Sequence, residues 1–101
     1  MLADITAMLF MTLRLSQLLD EGKVTMPEVA LAKMHNTHRA RAILADARDL
    51  LGGNGIVLDY HIARHLCDIE AIATYEGTDT VQALIVGRDI TGKNAFVPLA
   101  H

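Results

Sequence analysis

The chain has 101 residues, a formal net charge of −3 and a mean hydropathy of +0.28, enough for one small domain with one core. Acids and bases are interleaved without a basic block and only 4% of residues are aromatic, which argues against a nucleic-acid partner, and the lone Cys67 excludes an internal disulfide and fits a reducing compartment. At 51% hydrophobic, the chain is expected to present apolar surface to a partner.

From Leu2 to Leu19, apolar residues at Ile5, Met8, Leu9, Leu13 and Leu19 keep a helical spacing. No apolar run reaches a membrane span, Arg14 interrupts the first, and no basic leader or cleavage site is seen, so neither a membrane segment nor a signal peptide is expected. Gly22 is placed to cap this helix's C-terminus. Thr25, Pro27 and Glu28 then read as an N-cap, a first-turn proline and a capping-box acid. A second helix is predicted to about Leu51, striped by Ala40, Ile43, Leu44, Ala47, Leu50 and Leu51. "GGNG" (Gly52 to Gly55) breaks it. Asp59 can cap a third helix with Ile62, Leu66, Ile69 and Ala73 on one face. "YEGT" (Tyr75 to Thr78) is the next break, and Thr78 can cap a fourth helix with Val81, Leu84 and Ile85 on its apolar face. Gly92 and Pro98 stop that helix. No segment alternates like a strand and no repeat is seen. The expected fold is all-α, an antiparallel four-helix bundle forming a single domain over residues 1–101.

Three stretches could carry chemistry. The Gly-rich loop follows a helix instead of a strand, so the dinucleotide and P-loop fingerprints fail, and a helix–helix turn with positive φ at Gly53 or Gly55 is the plain reading. His61, His65 and Asp68 share a face at i, i+4 and i+7, a spacing that suits a metal but equally an ordinary polar face, and no further ligand is indicated; no metal is expected. His35 and His38 on the second helix are discounted in the same way, and Cys67 reads as a small core residue. Glu76, between Tyr75 and Gly77, is either a solvated loop acid helping the fourth helix's N-terminus or a general base in an apolar surround that raises its pKa. Periodicity does not choose between these.

"DLLGGNGIVLDYHIARHLCD", from Asp49 to Asp68, resembles the C-terminal signature of the acyl-CoA dehydrogenases, with Asp49, Gly52, Gly53, Gly55, Ile56, Asp59, Arg64 and Asp68 in its places. "YEGT" follows about eight residues later and resembles that family's catalytic-base loop. The ending "ALIVGRDITGKNAF" looks most like the glutaryl-CoA dehydrogenase branch. The resemblance spans essentially the whole chain and implies the C-terminal quarter of a larger flavoenzyme, without its N-terminal helical and middle β-domains.

The resemblance assigns roles residue by residue. Glu76 matches the base that takes the α-proton of an acyl-CoA thioester while the β-hydride passes to FAD, and its backbone N–H matches a donor to the thioester carbonyl. Gly77 matches a substrate contact. Asp49, Leu50, Leu51, Gly52 and Gly53 match the loop that holds the adenosine diphosphate part of FAD, usually across a dimer interface, and Thr78 and Phe96 match further FAD contacts. Asp49 replaces a common Gln, and Thr80 replaces a Gln that helps to bind adenine, so adenine contacts depart from the usual pattern. Implied partners are an acyl-CoA substrate, an electron-transfer flavoprotein and further copies in a homotetramer built as a dimer of dimers. The implied location is the bacterial cytoplasm or the mitochondrial matrix. The isolated chain is expected to be inactive. A stand-alone oligomerisation bundle and the C-terminal domain of an acyl-CoA oxidase are the competing readings. Glu76 is expected at a bundle corner, held between two apolar helices.

Overall fold

A computed structural model describes residues 1–97. Its helices are α1 (Leu2–Asp20), α2 (Met26–Leu50), α3 (Ile62–Thr74) and α4 (Asp79–Thr91), with two short 3-10 turns, Gly52–Ile56 and Leu58–Tyr60, between α2 and α3. No strand occurs among the described residues.

Local chemistry sets most boundaries. Gly22 takes φ 69, its N–H donates to Leu19 O and that of Lys23 donates to Leu18 O. This pair of reversed bonds satisfies the last carbonyls of α1. At the start of α2, Glu28 reaches back to accept the Thr25 N–H at 3.0 Å, and Pro27 occupies the first turn where no N–H is needed. Gly92, at φ 73, ends α4. The expected stop at Pro98 lies outside the described residues.

The antiparallel all-α four-helix class holds, in an open form. α2 is the spine. Asp4 of α1 pairs with Arg39, and Thr12 accepts from Asn36, so α1 runs antiparallel along one side. α3 and α4 lie end to end, both antiparallel to α2, and α3 faces α1 across a groove lined by Ile5, Met8, Ala40, Ile69 and Ile72. Glu70 of α3 takes a two-pronged bond from Arg41 at 2.8 and 3.1 Å, whereas Asp79 of α4 accepts from Thr37, and Leu84 and Ile85 lie near Met26 and Pro27. The junction of α3 and α4 therefore falls against the length of α2, opposite Lys33 and Thr37, and not at a bundle corner.

Small residues make this contact possible. The buried hydrophobics among the described residues are Ala30, Ala32, Ile69 and Ala73, and three of those four are alanines that let helix backbones approach. The accessible surface is 7302 Å², against roughly 5,600 Å² expected for a compact monomer of this mass. Apolar surface is accordingly left open, as the composition implies.

Several sequence readings are corrected. α1 meets α2 through Asp4, Met8, Met11, Leu15 and Leu18, while Ile5, Leu9, Leu13 and Leu19 are exposed. The helix is apolar nearly all round, so periodicity alone could not pick the contacting stripe. Contrary to expectation, α1 is long and apolar enough to cross a bilayer by length and composition; here it lies on α2 with Asp4 ion-paired. Asp59 does not cap α3. It lies inside the second 3-10 turn, and His61, at φ 66, takes the cap position, which removes it from the helical face shared by His65 and Asp68. Cys67 is exposed, because α3 is packed on its Ile62/Leu66/Ile69/Ala73 face alone. Leu50 and Leu84 are exposed, and the buried member of α4 is Gln82.

The glycine turn also differs. Positive φ falls on Gly52 (φ 58), not on Gly53 or Gly55. Gly55 is buried against the last turn of α2, where a Cβ would overlap the Arg48 carbonyl, so its requirement is close approach. Gly55→Ala is expected to cost about 1–3 kcal/mol. Gly53→Ala, whose Cβ meets nothing within 4 Å, should stay within about 0.5 kcal/mol. Urea denaturation of the two variants separates them.

The Asp4–Arg39 pair adds a pH dependence. The hydrogen bond from Arg39, at 2.6 Å, holds the Asp4 carboxyl below its ordinary value against the opposing effect of partial burial. A depressed folded-state pKa means stability that is present above the ordinary carboxylate range and lost as pH falls through the lowered value. Asp4→Asn should therefore flatten the acid limb of the stability profile while leaving its neutral-to-alkaline part level, as followed by urea midpoints between pH 3 and pH 7.

Candidate functional site

The break between α3 and α4 carries two successive residues with positive φ. Tyr75 ends α3 in an extended conformation, Glu76 and Gly77 both take positive φ (55 and 97), and Thr78 returns to an extended conformation to start α4. Its hydroxyl accepts from the Val81 N–H at 3.3 Å, as the sequence predicted for the N-cap. A glutamate in the left-handed region is unusual. It costs about 1–2 kcal/mol and persists only where the surroundings over-determine it.

Those surroundings are two side chains that sequence reasoning passed over. Lys33 of α2 donates through Nζ to the carbonyls of Tyr75 and Gly77, the latter at 2.6 Å, and lies 5.7 Å from the centre of the Tyr75 ring. Gln82 of α4, 7% exposed, donates through Nε2 to the carbonyls of Glu76 at 3.1 Å and Gly77 at 3.2 Å. Three consecutive carbonyls are thus satisfied by two donors. Thr37 adds a link from α2 to Asp79 at 3.1 Å. The signal in the sequence was a lysine and a threonine on the α2 face that carries Ala30, where an apolar contact would otherwise be expected.

With its carbonyl held inward, Glu76 has an exposed side chain, and among the described residues no acceptor faces its N–H. The sequence expectation of an apolar surround is not met within the described residues of this chain. The glycine at position 77 has an internal cause. Its φ is positive and a Cβ would stand 2.5 Å from Gln82 Nε2, so the residue is small to admit the glutamine amide.

The other candidates are strung along α2. Asp49 and Leu50 form its exposed end, Leu51 caps it, and Gly52 and Gly53 follow with open space where a Cβ would lie. These residues fit a group lying flat on backbone, such as the diphosphate of FAD. From Lys33 to Leu50 is about 25 Å of helix, so this loop and Glu76 are not brought together. Phe96 is exposed at the opposite end, beside Met26 and Pro27. Among the described residues no three His, Cys, Asp or Glu side chains converge as a metal site.

Comparisons with known proteins agree with this arrangement. Residues 1–91 match the family described as "Acyl-CoA dehydrogenase, C-terminal domain". The chain is 37% identical over 76 residues to the mitochondrial short-chain specific acyl-CoA dehydrogenase of Bos taurus, covering 75% of this chain and 18% of that protein. It is 35% identical over 72 residues to the 3-(aryl)acrylate reductase of Clostridium sporogenes, covering 71% and 19%. Among solved structures, glutaryl-CoA dehydrogenase from Mycobacterium smegmatis superposes with a TM-score of 0.87 at 36% identity, covering 95% of this chain and 26% of that one. A glutaryl-CoA dehydrogenase from Mycobacterium smegmatis in complex with FADH2 gives a TM-score of 0.86 at 37% identity, covering 95% of this chain and 26% of that one. The chain spans about a fifth of the length of these curated relatives.

Two stability measurements probe the loop. Glu76→Gly is expected to raise stability by about 1 kcal/mol, because glycine takes φ 55 without a Cβ penalty. Thr78→Ala should lower it by about 1 kcal/mol through loss of the cap. A Glu76→Gly variant less stable than wild type in urea would show that the left-handed backbone stores no strain.

Proposed function

The chain belongs to the acyl-CoA dehydrogenase family, as its C-terminal domain, and on that premise we propose that Glu76 is the base that removes the α-proton of an acyl-CoA thioester. The observation that carries this reading is the loop geometry: an exposed carboxylate on a backbone held at φ 55, its carbonyl turned away and its N–H without an acceptor among the described residues. Most loop acids are not held in this way.

The chemistry needs those features. The α-proton of a thioester is weakly acidic, so its removal requires a base within hydrogen-bond reach and a donor at the carbonyl oxygen that gains charge. The Cα–H bond breaks with the proton passing to a Glu76 carboxylate oxygen. Its electron pair forms the Cα=Cβ bond as the β-hydrogen leaves with its own pair. FAD, the cofactor expected from the family, would supply the acceptor for that hydride when bound. The Glu76 N–H stands ready as a donor to the thioester oxygen, and Gly77 leaves the neighbouring backbone low.

The distance of about 25 Å along α2 between Glu76's anchor and the Gly52–Gly53 loop supports a reading in which each chain offers the two segments to two different flavins. On it, Asp49 to Gly53 hold the adenosine diphosphate part of a neighbour's FAD, while Thr78 and Phe96 touch the chain's own. The open apolar surface supports assembly of copies in a full-length homo-oligomer, with an electron-transfer flavoprotein as the electron acceptor. The likeness to glutaryl-CoA dehydrogenase, in fold and in the "ALIVGRDITGKNAF" ending, favours a short acyl or dicarboxylic acyl thioester. The chain alone lacks what would bury Glu76, so it is proposed to be inactive without the remaining domains, in the bacterial cytoplasm or mitochondrial matrix.

The test joins this chain to the N-terminal and middle domains of a full-length relative and follows flavin bleaching by glutaryl-CoA and butyryl-CoA. Wild type should bleach, and Glu76→Gln should bind the thioester yet bleach at least about 100-fold more slowly, the usual contribution of a positioned base. Equal bleaching by both proteins would make Glu76 a loop acid.

A further inference from the structure

We propose that Lys33 and Gln82 are positioning residues for Glu76, acting as a two-sided clamp on the backbone and touching neither substrate nor cofactor. The inference rests on the reading of Glu76 as the base and extends it to residues on two other elements.

The clamp closes from two elements. Lys33 comes from the middle of α2 and bonds the first and third carbonyls of the Tyr75–Gly77 segment; Gln82 comes from the first turns of α4 and bonds the second and third. Gly77 O receives both donors, which locks them to each other. The loop so held carries positive φ at both residues 76 and 77. The donors are as constrained as the loop. Gln82 is buried, so losing its carbonyl partners would leave an amide unpaired out of water. Lys33 is flanked by the Tyr75 ring, whose face attracts the ammonium. Its charge also lies at the C-terminal end of α3, where unpaired carbonyls favour a cation.

The consequence is directional. Without the clamp, Glu76 relaxes to the right-handed region that any non-glycine residue prefers, and its carboxylate swings away from the position the loop now gives it. A base displaced by about an ångström loses much of its rate even when substrate still binds. Lys33 and Gln82 should therefore govern turnover far more than substrate affinity.

The test has two arms. In the 101-residue chain, φ near 55 brings the Glu76 amide proton close to its own Hα, which gives a strong intraresidue nuclear Overhauser effect. Lys33→Met should weaken that signal with helical circular dichroism unchanged, and Lys33→Arg should keep it. In the assembled flavoenzyme, Lys33→Met should lower kcat roughly 10- to 100-fold with KM for the acyl-CoA moving less than about 3-fold, and Lys33→Arg should recover most of the rate. A folded Lys33→Met protein with the signal and kcat of wild type overturns the proposal. If Lys33→Met does not fold, Gln82→Met is read by the same criteria and decides. Undiminished turnover by Glu76→Gln would instead overturn the base reading alone, since the nuclear Overhauser arm is independent of it.

Discussion

Lys33 reaches from the spine helix to the carbonyls of Tyr75 and Gly77, and much of the site geometry hangs on that reach. The ammonium lies beyond the end of α3, holds the loop against α2 and, with Gln82, keeps Glu76 in a conformation its own chemistry disfavours. Left to local preference, Tyr75 to Thr78 would form a relaxed turn. In that turn the carboxylate would not be held where it is now. The strain at Glu76 is balanced by hydrogen bonds that are charge-assisted or buried, the kinds worth most.

The second constraint is the thin core. Alanines at positions 30, 32 and 73 let α2 approach its neighbours closely, but they bury little apolar area, and large side chains such as Leu9, Phe10 and Leu13 are left in the open. The chain with this open apolar surface covers about a fifth of the curated relatives it matches.

The two glycine-containing breaks divide the labour. Gly55 is small because the Arg48 carbonyl lies against it, and Gly77 is small because the Gln82 amide does; both requirements are internal. Gly52 and Gly53 face open space, so there missing side-chain bulk leaves room for a bound group. A glycine loop is therefore not one feature but several, separable only by what surrounds each residue.

Helix existence, the caps at Gly22, Thr25 and Thr78, and the α3 stripe were legible in the sequence, because each depends on residues within about one helical turn of one another. The family, and with it Glu76 as a candidate base, was legible too, through two local motifs. What the sequence could not determine was which of several apolar stripes of α1 meets α2, that Cys67 faces outward, that α3 and α4 lie end to end, and that Lys33 and Gln82 hold the loop. Lys33 and Gly77 are 44 residues apart, and their bond exists only because α2 runs antiparallel to the broken α3–α4 column. Periodicity and capping report short-range interactions; the clamp on Glu76 is a long-range one, decided by how the helices pack.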